Sequence, residues 1–277
     1  MRVLIVGDVG GHLSALEEVL GRFGVSVRGG EIPPGTVVLQ VGDLVGRSAE
    51  SEATVAAVER IRRSQPDRWV QLAGNHELHH LGGHQFAGTD DLSEEAVATM
   101  REWLASGWLG VAAAIETSGS GVLVSHAGLT RGLWCELGSP ASAVDAAAAL
   151  QMAWRDVDGW DVVNRPGYLL SGGGSPAPDS SAGPLWAEAS LELVPPWLDH
   201  DDLPFDQVHG HTSVYDWNRA AFGAAGLVQH ASVDRHKRHV VVRAGTHAIT
   251  GIDPGLGRHG HTFWEPLIVE ATRGTPL

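Results

Sequence analysis

Short apolar runs alternate with longer amphipathic segments along the first hundred residues. Val3–Val6, the run beginning at Val37 and Trp69–Ala73 are short and aliphatic or aromatic, which is typical of buried parallel strands. Between them, apolar side chains recur at helical spacing over Leu13–Phe23 and Ser51–Arg63. Strand, loop and helix repeat in this order, so the pattern predicts a parallel sheet with right-handed crossovers.

The second half of the chain predicts another sheet. Val111–Glu116 and Val122–Ser125, separated by a Ser/Gly turn, have the pattern of a hairpin. A helix is expected from Ser93 to about Ser106, and an alanine-rich one over Ala141–Trp154. Later strand candidates are His239–Arg243, Ala248–Ile252 and Phe263–Glu270. We therefore expect one domain, residues 1–277, built from two packed sheets.

Two segments have the composition of loops. Leu78–Asp91 is rich in His and Gly and is interpreted as a loop. Ser171–Gly183 is rich in Gly, Ser and Pro, so we expect a flexible lid or insertion there.

Composition and charge narrow the classes of partner. The chain of 277 residues is 43% hydrophobic, which is enough for a core and argues against global disorder. A net charge of −14 argues against binding of duplex nucleic acid, which requires a basic surface. The only cysteine, Cys135, excludes an intrachain disulfide and a cysteine-based zinc cluster. With no apolar stretch of transmembrane length and no signal-peptide pattern, we expect a soluble cytoplasmic protein without membrane contact, in an oligomeric state that the sequence leaves open.

Five sites share one pattern, in which an apolar strand is followed by a small residue and then by a side chain that can bind metal. They are Gly7-Asp8, Gly42-Asp43, Gly74-Asn75-His76-Glu77, Ser125-His126-Ala127-Gly128 and Gly210-His211-Thr212. Each is weak alone, because an Asp after a strand is more often a helix cap or turn former. As an ordered set they supply the carboxylate, amide and imidazole ligands of hard and borderline divalent ions. Two such ions can clamp a phosphoryl group, and Arg47 would lie close enough to Asp43 to hold the phosphate.

The order of these motifs resembles that of the calcineurin-like metallophosphoesterases. Within that superfamily it is most similar to the bacterial phosphoprotein-phosphatase branch, which includes serine/threonine phosphatases and diadenosine-tetraphosphate hydrolases. The similarity runs from about Val3 to Glu270, and Gly-Asn-His-Glu is its most specific element. It implies a four-layer α/β fold, with two mixed β-sheets packed as a sandwich and flanked by helices. It also implies hydrolysis of a phosphomonoester or a nucleotide-type phosphoanhydride by a metal-bound hydroxide, on a small molecule, nucleotide or phosphoprotein.

The resemblance also implies a metal ligand set. Asp8 would bind the first metal and Asp43 would bridge both metals, while the second metal would be completed by Asn75, His126 and His211. We expect one or two divalent ions per chain, with Mn²⁺ first and Fe or Zn²⁺ as alternatives, because all three suit these ligands.

The catalytic roles follow from the same resemblance. His76 would be the acid beside the leaving group, with Glu77 as a candidate for orienting it. Asp43 counts as catalytic as well as a metal ligand, and Arg47 and Asn75 would contact the substrate.

Three positions depart from the family pattern, namely Gly10, Gly46 and Glu188. A histidine is expected where Gly10 stands, so the first metal lacks a ligand unless His12 or a distant histidine such as His209 supplies it. The carboxylate that should partner His76 is missing at Gly46. A phosphate-binding arginine is expected where Glu188 stands, and the candidates to replace it are Arg131, Arg155 and Arg165.

These departures leave two readings of the function open. In one, a rebuilt site still hydrolyses a phosphoester, and this reading is favoured because losing one outer partner of a site typically costs only about 10–100-fold. In the other, the chain is a degenerate, non-catalytic protein of the same fold that binds metal or phosphate.

Overall fold

The structure, a computed structural model, describes residues 1–170, 178–257 and 263–272. Its first sheet has five strands, in the spatial order β13 (Leu267–Glu270), β1 (Arg2–Val6), β2 (Thr36–Gln40), β3 (Trp69–Leu72) and β4 (Leu109–Gly110). β1 to β4 are parallel, and β13 pairs antiparallel with β1. The predicted parallel sheet is therefore confirmed, with one antiparallel edge strand added.

The second sheet has six strands. Their spatial order is β10 (Ala231–Asp234), β11 (His239–Ala244), β12 (His247–Gly251), β7 (Asp206–His209), β6 (Gly121–Ser125) and β5 (Ala112–Glu116). β6, β7 and β12 run parallel in the middle, and the remaining pairs are antiparallel. A separate hairpin joins β8 (Tyr215–Asp216) to β9 (Ala221–Phe222). The hairpin predicted before Ser125 is β5–β6.

The two sheets pack face to face. Val3 and Ile5 of β1 share one buried apolar cluster with Val124 of β6, because side chains alternate between the two faces of a strand. The intervening Leu4 and Val6 point the other way, into the cluster that contains the helices. This arrangement confirms the expected sandwich of two mixed sheets flanked by helices.

Eight α-helices are described. They are α1 (Leu13–Gly21), α2 (Ser51–Ser64), α3 (Asn75–Leu81), α4 (Glu94–Ala105), α5 (Arg131–Glu136), α6 (Ala143–Arg155), α7 (Trp160–Val163) and α8 (Val194–His200). The Ser93 side chain caps α4 by accepting a hydrogen bond from the Ala96 N–H, as its position in the sequence predicts. None of the helices in the described ranges is long and apolar enough to span a bilayer.

One of the two loop predictions needs correction. Leu78–Asp91 was expected to be a loop throughout, but α3 extends to Leu81 before the chain turns at Gly82 (φ +103°). Gly74 caps α3 at its N-terminus, and the Gly74 N–H donates to the Glu77 carboxylate at 2.7 Å. A seven-residue helix capped in this way is too short to show a helical period in the sequence.

The Ser171–Gly183 prediction falls partly on residues 171–177, which lie outside the described residues. In the described remainder, residues 178–180 are exposed, whereas Ala182 is fully buried and the Gly183 N–H donates to the Arg165 carbonyl at 3.0 Å. The lid or insertion stays a prediction. The strand expected over Phe263–Glu270 is shorter, because β13 begins after Pro266, which has no N–H to donate to a sheet. The single-domain assignment stays a prediction.

Candidate metal centre and active site

The predicted metal ligands all follow strands that end at one edge of the sandwich. Asp8 follows β1, Asp43 follows β2, Asn75 follows β3, His126 follows β6 and His211 follows β7, each within three residues of the strand end. The carboxyl ends of parallel strands are where open α/β folds place their ligands, because loops from neighbouring strands meet there. Topology alone therefore brings residues from both halves of the chain to one place.

A buried cluster lies at this edge. One ligand atom each from Asp43, His126 and His211 lies within 4.8 Å of the other two. His126 Nε2 is 3.4 Å from Asp43 Oδ1 and 3.1 Å from His211 Nδ1. The amide oxygen of Asn75 is 3.0 Å from the same His126 nitrogen. This donor set of carboxylate, amide oxygen and two imidazoles fits a divalent transition-metal ion.

The backbone at two of these ligands is in the left-handed region, which is unfavourable for residues with a side chain. Asp43 has φ +52° and His211 has φ +61°. Each N–H is held by a carboxylate: Asp43 donates to Glu77 Oε2 at 2.8 Å, and His211 donates to both oxygens of Asp8 at 3.0 Å. The strained conformations therefore persist because buried hydrogen bonds fix them.

The small residues of the five motifs have a steric reason. A Cβ atom at Gly74 would lie 2.2 Å from Asp43 Oδ1, and one at Gly210 would lie 2.0 Å from Asp8 Oδ1. Both contacts are far too short for any side chain. Glycine is needed at these positions because two carboxylates pass directly over the backbone.

Glu77 acts on the backbone and not on the His76 ring. Its carboxylate accepts hydrogen bonds from the N–H groups of Asp43, Val45 and Gly74, at 2.8, 3.0 and 2.7 Å. Burial and the charge of Asp43 raise the pKa of Glu77 to about 7. The structure thus shows Glu77 fixing the loop that carries Asp43, in place of the expected contact with the His76 ring.

Two buried histidines are held neutral. Burial, followed by the neighbouring His211 and His76, places the pKa of His126 well below its usual value. Burial lowers the pKa of His209 to about 4. A neutral imidazole has a lone pair for a cation, so His126 is in a form suited to a metal ligand at neutral pH.

A cavity of ≈ 20 Å³ adjoins Asp43 and is large enough for about one water molecule. Its ionisable and polar lining consists of Asp8, Asp43, Arg47, His76 and Asp253. Asp253 is buried and was not assigned to the site from the sequence, although the Ile-Asp-Pro-Gly segment that contains it belongs to the family resemblance. Gly10 and Gly46 also line this cavity. They are the positions where the family resemblance leads us to expect a histidine and a carboxylate.

The histidines proposed to replace the one missing at Gly10 have other contacts. His12 Nδ1 lies 3.0 Å from the Val9 carbonyl, and the ring lines a different cavity beside Phe263. His209 Nδ1 lies 2.9 Å from the Gly210 carbonyl. Neither contact brings an imidazole to the Asp43 cavity, so His12 as a first-metal ligand stays a prediction without geometric support.

His76 lies between Asp43 and the segment that follows α3. The backbone N–H of His76 donates to Asp43 Oδ1 at 3.0 Å, and the ring Nε2 is 3.9 Å from Asp43 Oδ2. Its Nδ1 is 3.1 Å from the hydroxyl oxygen of Thr89, and Phe86 contacts the ring edge-on with centroids 5.0 Å apart. Thr89 was not recognised from the sequence, since no local motif connects it to His76.

Arg47 reaches the cavity, and its Nε donates to the Gly88 carbonyl at 2.9 Å. Of the other arginines considered, Arg131 is paired with Asp202 at 2.6 Å and Arg165 with Glu136 at 2.8 Å. Arg155 lines a surface groove beside two tryptophans. Arg131 and Arg165 are therefore held in ion pairs and Arg155 lies in a surface groove, and none of the three lines the Asp43 cavity.

Glu188 is buried, and burial raises its pKa. The Ser190 hydroxyl donates to this carboxylate at 2.8 Å, and the next residue, Ala189, donates its N–H to Thr212 at 2.9 Å. The segment expected to carry a phosphate-binding arginine thus lies beside the His211 loop. In place of an arginine it carries the Glu188 carboxylate, which is hydrogen-bonded to Ser190.

Comparisons with known proteins agree with this geometry. The chain superimposes on a cold-active protein-tyrosine phosphatase from a psychrophilic Shewanella species with a TM-score of 0.57 and 17% identity, over 97% of this chain and 75% of that one. It superimposes on a protein serine/threonine phosphatase from Saccharomyces cerevisiae with a TM-score of 0.50 and 13% identity, over 100% and 82%. At these identities the likeness shows the fold, and a search of curated proteins gave no match. The family model described as calcineurin-like phosphoesterase matches residues 1–248. The chain therefore belongs to the calcineurin-like phosphoesterases, a family of metal-dependent phosphoric ester hydrolases, as the order of its motifs predicted.

Proposed function

We propose that the chain hydrolyses a phosphomonoester or a nucleotide-type phosphoanhydride at the cavity between Asp43 and His76. The observation that carries this proposal is the convergence of Asp43, His126 and His211 on one buried point, with Asn75 beside them. Divalent cations bound at this cluster would lower the pKa of a coordinated water and withdraw charge from the phosphoryl oxygens.

Asp43 connects the two sides of the site. Its Oδ1 faces His126 at 3.4 Å, and its Oδ2 lies on the side of His76, at 3.9 Å from that ring. One carboxylate can therefore serve both the histidine cluster and the cavity that also contains Asp8, which is the geometry a bridging ligand requires.

The other side chains act on the substrate. His76 Nε2 is placed beside the cavity, where it can give a proton to the departing oxygen. Arg47 is one of the residues that line the same cavity, and its guanidinium would pair with phosphoryl oxygens there. The Asn75 amide, beside His126, would donate to the same oxygens. Asp8 holds the His211 loop and would complete the cation site on the cavity side.

Mn²⁺ is proposed as the cation, with Fe and Zn²⁺ as alternatives, and a phosphoprotein or nucleotide as the substrate. The cytoplasmic location expected from the sequence stays a prediction.

The experiment is a phosphate-release assay with purified chain loaded with Mn²⁺, on p-nitrophenyl phosphate and on a dinucleoside polyphosphate. Wild type should release phosphate and Asp43→Asn should not, whereas Asp67→Asn, at an exposed aspartate beside β3, should behave as wild type. Absence of phosphate release from a broad substrate panel with Mn²⁺, Fe²⁺ and Zn²⁺ would contradict the proposal.

A second candidate is a degenerate, non-catalytic protein of the same fold that binds metal or phosphate. It is favoured by the absence of a side chain at Gly10 and by the contacts of His12, which leave the cavity side without an added imidazole. Metal analysis separates the two candidates: about two ions per chain supports hydrolysis, and one or none supports binding alone.

A further inference from the structure

The segment between α3 and α4, residues 82–93, contributes directly to the surroundings of His76. The Thr89 hydroxyl oxygen lies 3.1 Å from His76 Nδ1, and the Phe86 ring contacts the imidazole edge-on. Because the His76 side chain is only 3% exposed, these neighbours largely determine its orientation.

Thr89 is itself fixed through the next residue, Asp90. The Asp90 N–H donates to the Gly46 carbonyl at 2.7 Å. Its carboxylate accepts from the Ser48 N–H at 2.8 Å and from the Ser51 hydroxyl at 2.6 Å. Asp90 thus binds the segment to the chain that follows Asp43 and starts α2, so Thr89 has a defined position relative to the site.

The residue before Thr89 is fixed as well. The Gly88 carbonyl accepts from Arg47 Nε at 2.9 Å. A Cβ atom at Gly46 would lie 3.5 Å from His76 Nδ1, so that side of the ring meets no side chain from residue 46. The nitrogen that points toward this gap has the Thr89 hydroxyl as its partner.

We propose that Thr89 is the positioning residue for His76, and this inference rests on the proposed function. A hydroxyl can both donate and accept, so it can hold Nδ1 whether or not that nitrogen carries a proton. With Nδ1 held, Nε2 is directed to the cavity, where the leaving oxygen would be. Thr89 takes the place of the carboxylate partner that the sequence lacks at Gly46, but without a charge.

The test compares Thr89→Val, which removes the hydroxyl at almost constant shape, with Thr89→Ser, which keeps it. The control is Thr99→Val, at a half-buried position of α4 where the hydroxyl donates to the Glu95 carbonyl. Thr89→Val should lower kcat about tenfold with little change in KM. The loss should be larger for phenyl phosphate than for p-nitrophenyl phosphate, because the poorer leaving group depends more on an acid. Thr89→Ser should restore most of the rate.

An equal loss on both esters that Thr89→Ser does not restore would overturn the inference, since it would indicate a general structural defect. The nitrogen resonances of ¹⁵N-labelled histidine, assigned with His76→Gln, give a readout that does not need activity. In wild type, the Nδ1 resonance of His76 should report a hydrogen-bonded nitrogen, and in Thr89→Val it should shift because that hydrogen bond is lost. Unchanged resonances would overturn the inference even in a chain that hydrolyses nothing. Failure of the proposed function would instead appear as wild type that releases no phosphate.

Discussion

Two buried carboxylates in this molecule, Glu59 and Asp43, differ in where their countercharge comes from. Glu59 on α2 is 8% exposed and accepts hydrogen bonds from Arg62 at 2.6 Å, Arg63 at 2.5 Å and the Trp103 indole at 2.7 Å. Burial alone would raise the pKa of Glu59, but these donors outweigh it and hold the pKa at about 2. The charge of Glu59 is therefore compensated within the chain.

Asp43 is 5% exposed and has a different surrounding. Glu77 lies against its backbone, the imidazole of His126 against its side chain, and Asp8 and Asp253 line the same cavity. Several buried carboxylates in one place are costly unless they are compensated, and cations are the usual compensation. A buried carboxylate that is paired within the chain, such as Glu59, supports the fold, whereas the group of carboxylates around Asp43 suits the binding of a cation.

The largest expected effect separates the two carboxylates by activity. Asp43→Asn should lower phosphate release by more than about 100-fold, because a lost ligand costs more than a lost outer partner. Glu59→Gln should leave the rate per folded molecule unchanged. Initial rates normalised to folded protein check this, and an equal loss in both variants would remove the distinction.

Metal removal should distinguish the Asp43 and Glu59 variants by its effect on thermal stability. A cation present at about 100 times its Kd stabilises the folded state by about 2.7 kcal/mol, so chelation should lower the Tm by several degrees. Glu59→Gln should keep this chelator-dependent shift, and Asp43→Asn should lose most of it. Calorimetry with and without chelator measures the shift, and a shift retained in Asp43→Asn would mean that the cation binds elsewhere.

Glu59→Gln should lower the free energy of unfolding at pH 7 by about 1–3 kcal/mol, as for lost hydrogen bonds to a charged group. The folded pKa of about 2 lies below the ordinary value of 4.5. The stabilisation from ionised Glu59 is thus full above pH 4.5 and is lost as the pH falls toward 2. Urea denaturation should show a flatter acid limb in Glu59→Gln than in wild type, and parallel curves would contradict this account.

The smallest effect is expected for Arg63→Ala. The Arg63 side chain is 73% exposed, whereas that of Arg62, the other partner of Glu59, is 18% exposed. Exposed ion pairs contribute about 0–1 kcal/mol, so Arg63→Ala should destabilise less than Arg62→Ala in the same denaturation experiment.

The metal side of the site could be predicted from the sequence because its residues follow strand ends at fixed short offsets. Asp43, His126 and His211 were expected together because of the family resemblance, and the structure brings them together because the strands that they follow end at one edge of the sandwich. The apolar pattern predicted the parallel order of β1 to β3, but not the parallel pairing of β6 with β7. The helix bounds of α2 and α4 followed from amphipathic spacing and from the Ser93 cap.

The substrate side could not be predicted in the same way. Thr89 and Asp253 reach the site through loops whose course depends on tertiary hydrogen bonds, such as the bond from Asp90 to Gly46. No periodicity or spacing encodes those bonds. The backbone role of Glu77 was missed for a related reason, since its three N–H partners come from two separate loops.

The hydrogen bond between Asp8 and the His211 N–H joins residues that are 203 positions apart. During synthesis, a ribosome must deliver roughly three-quarters of the chain before this bond can form. Closing so long a loop is entropically unfavourable and slow, so it belongs to the late steps of folding. A nascent chain therefore carries Asp8 and Asp43 for more than half of its synthesis before His211, the last of the expected metal ligands, is added.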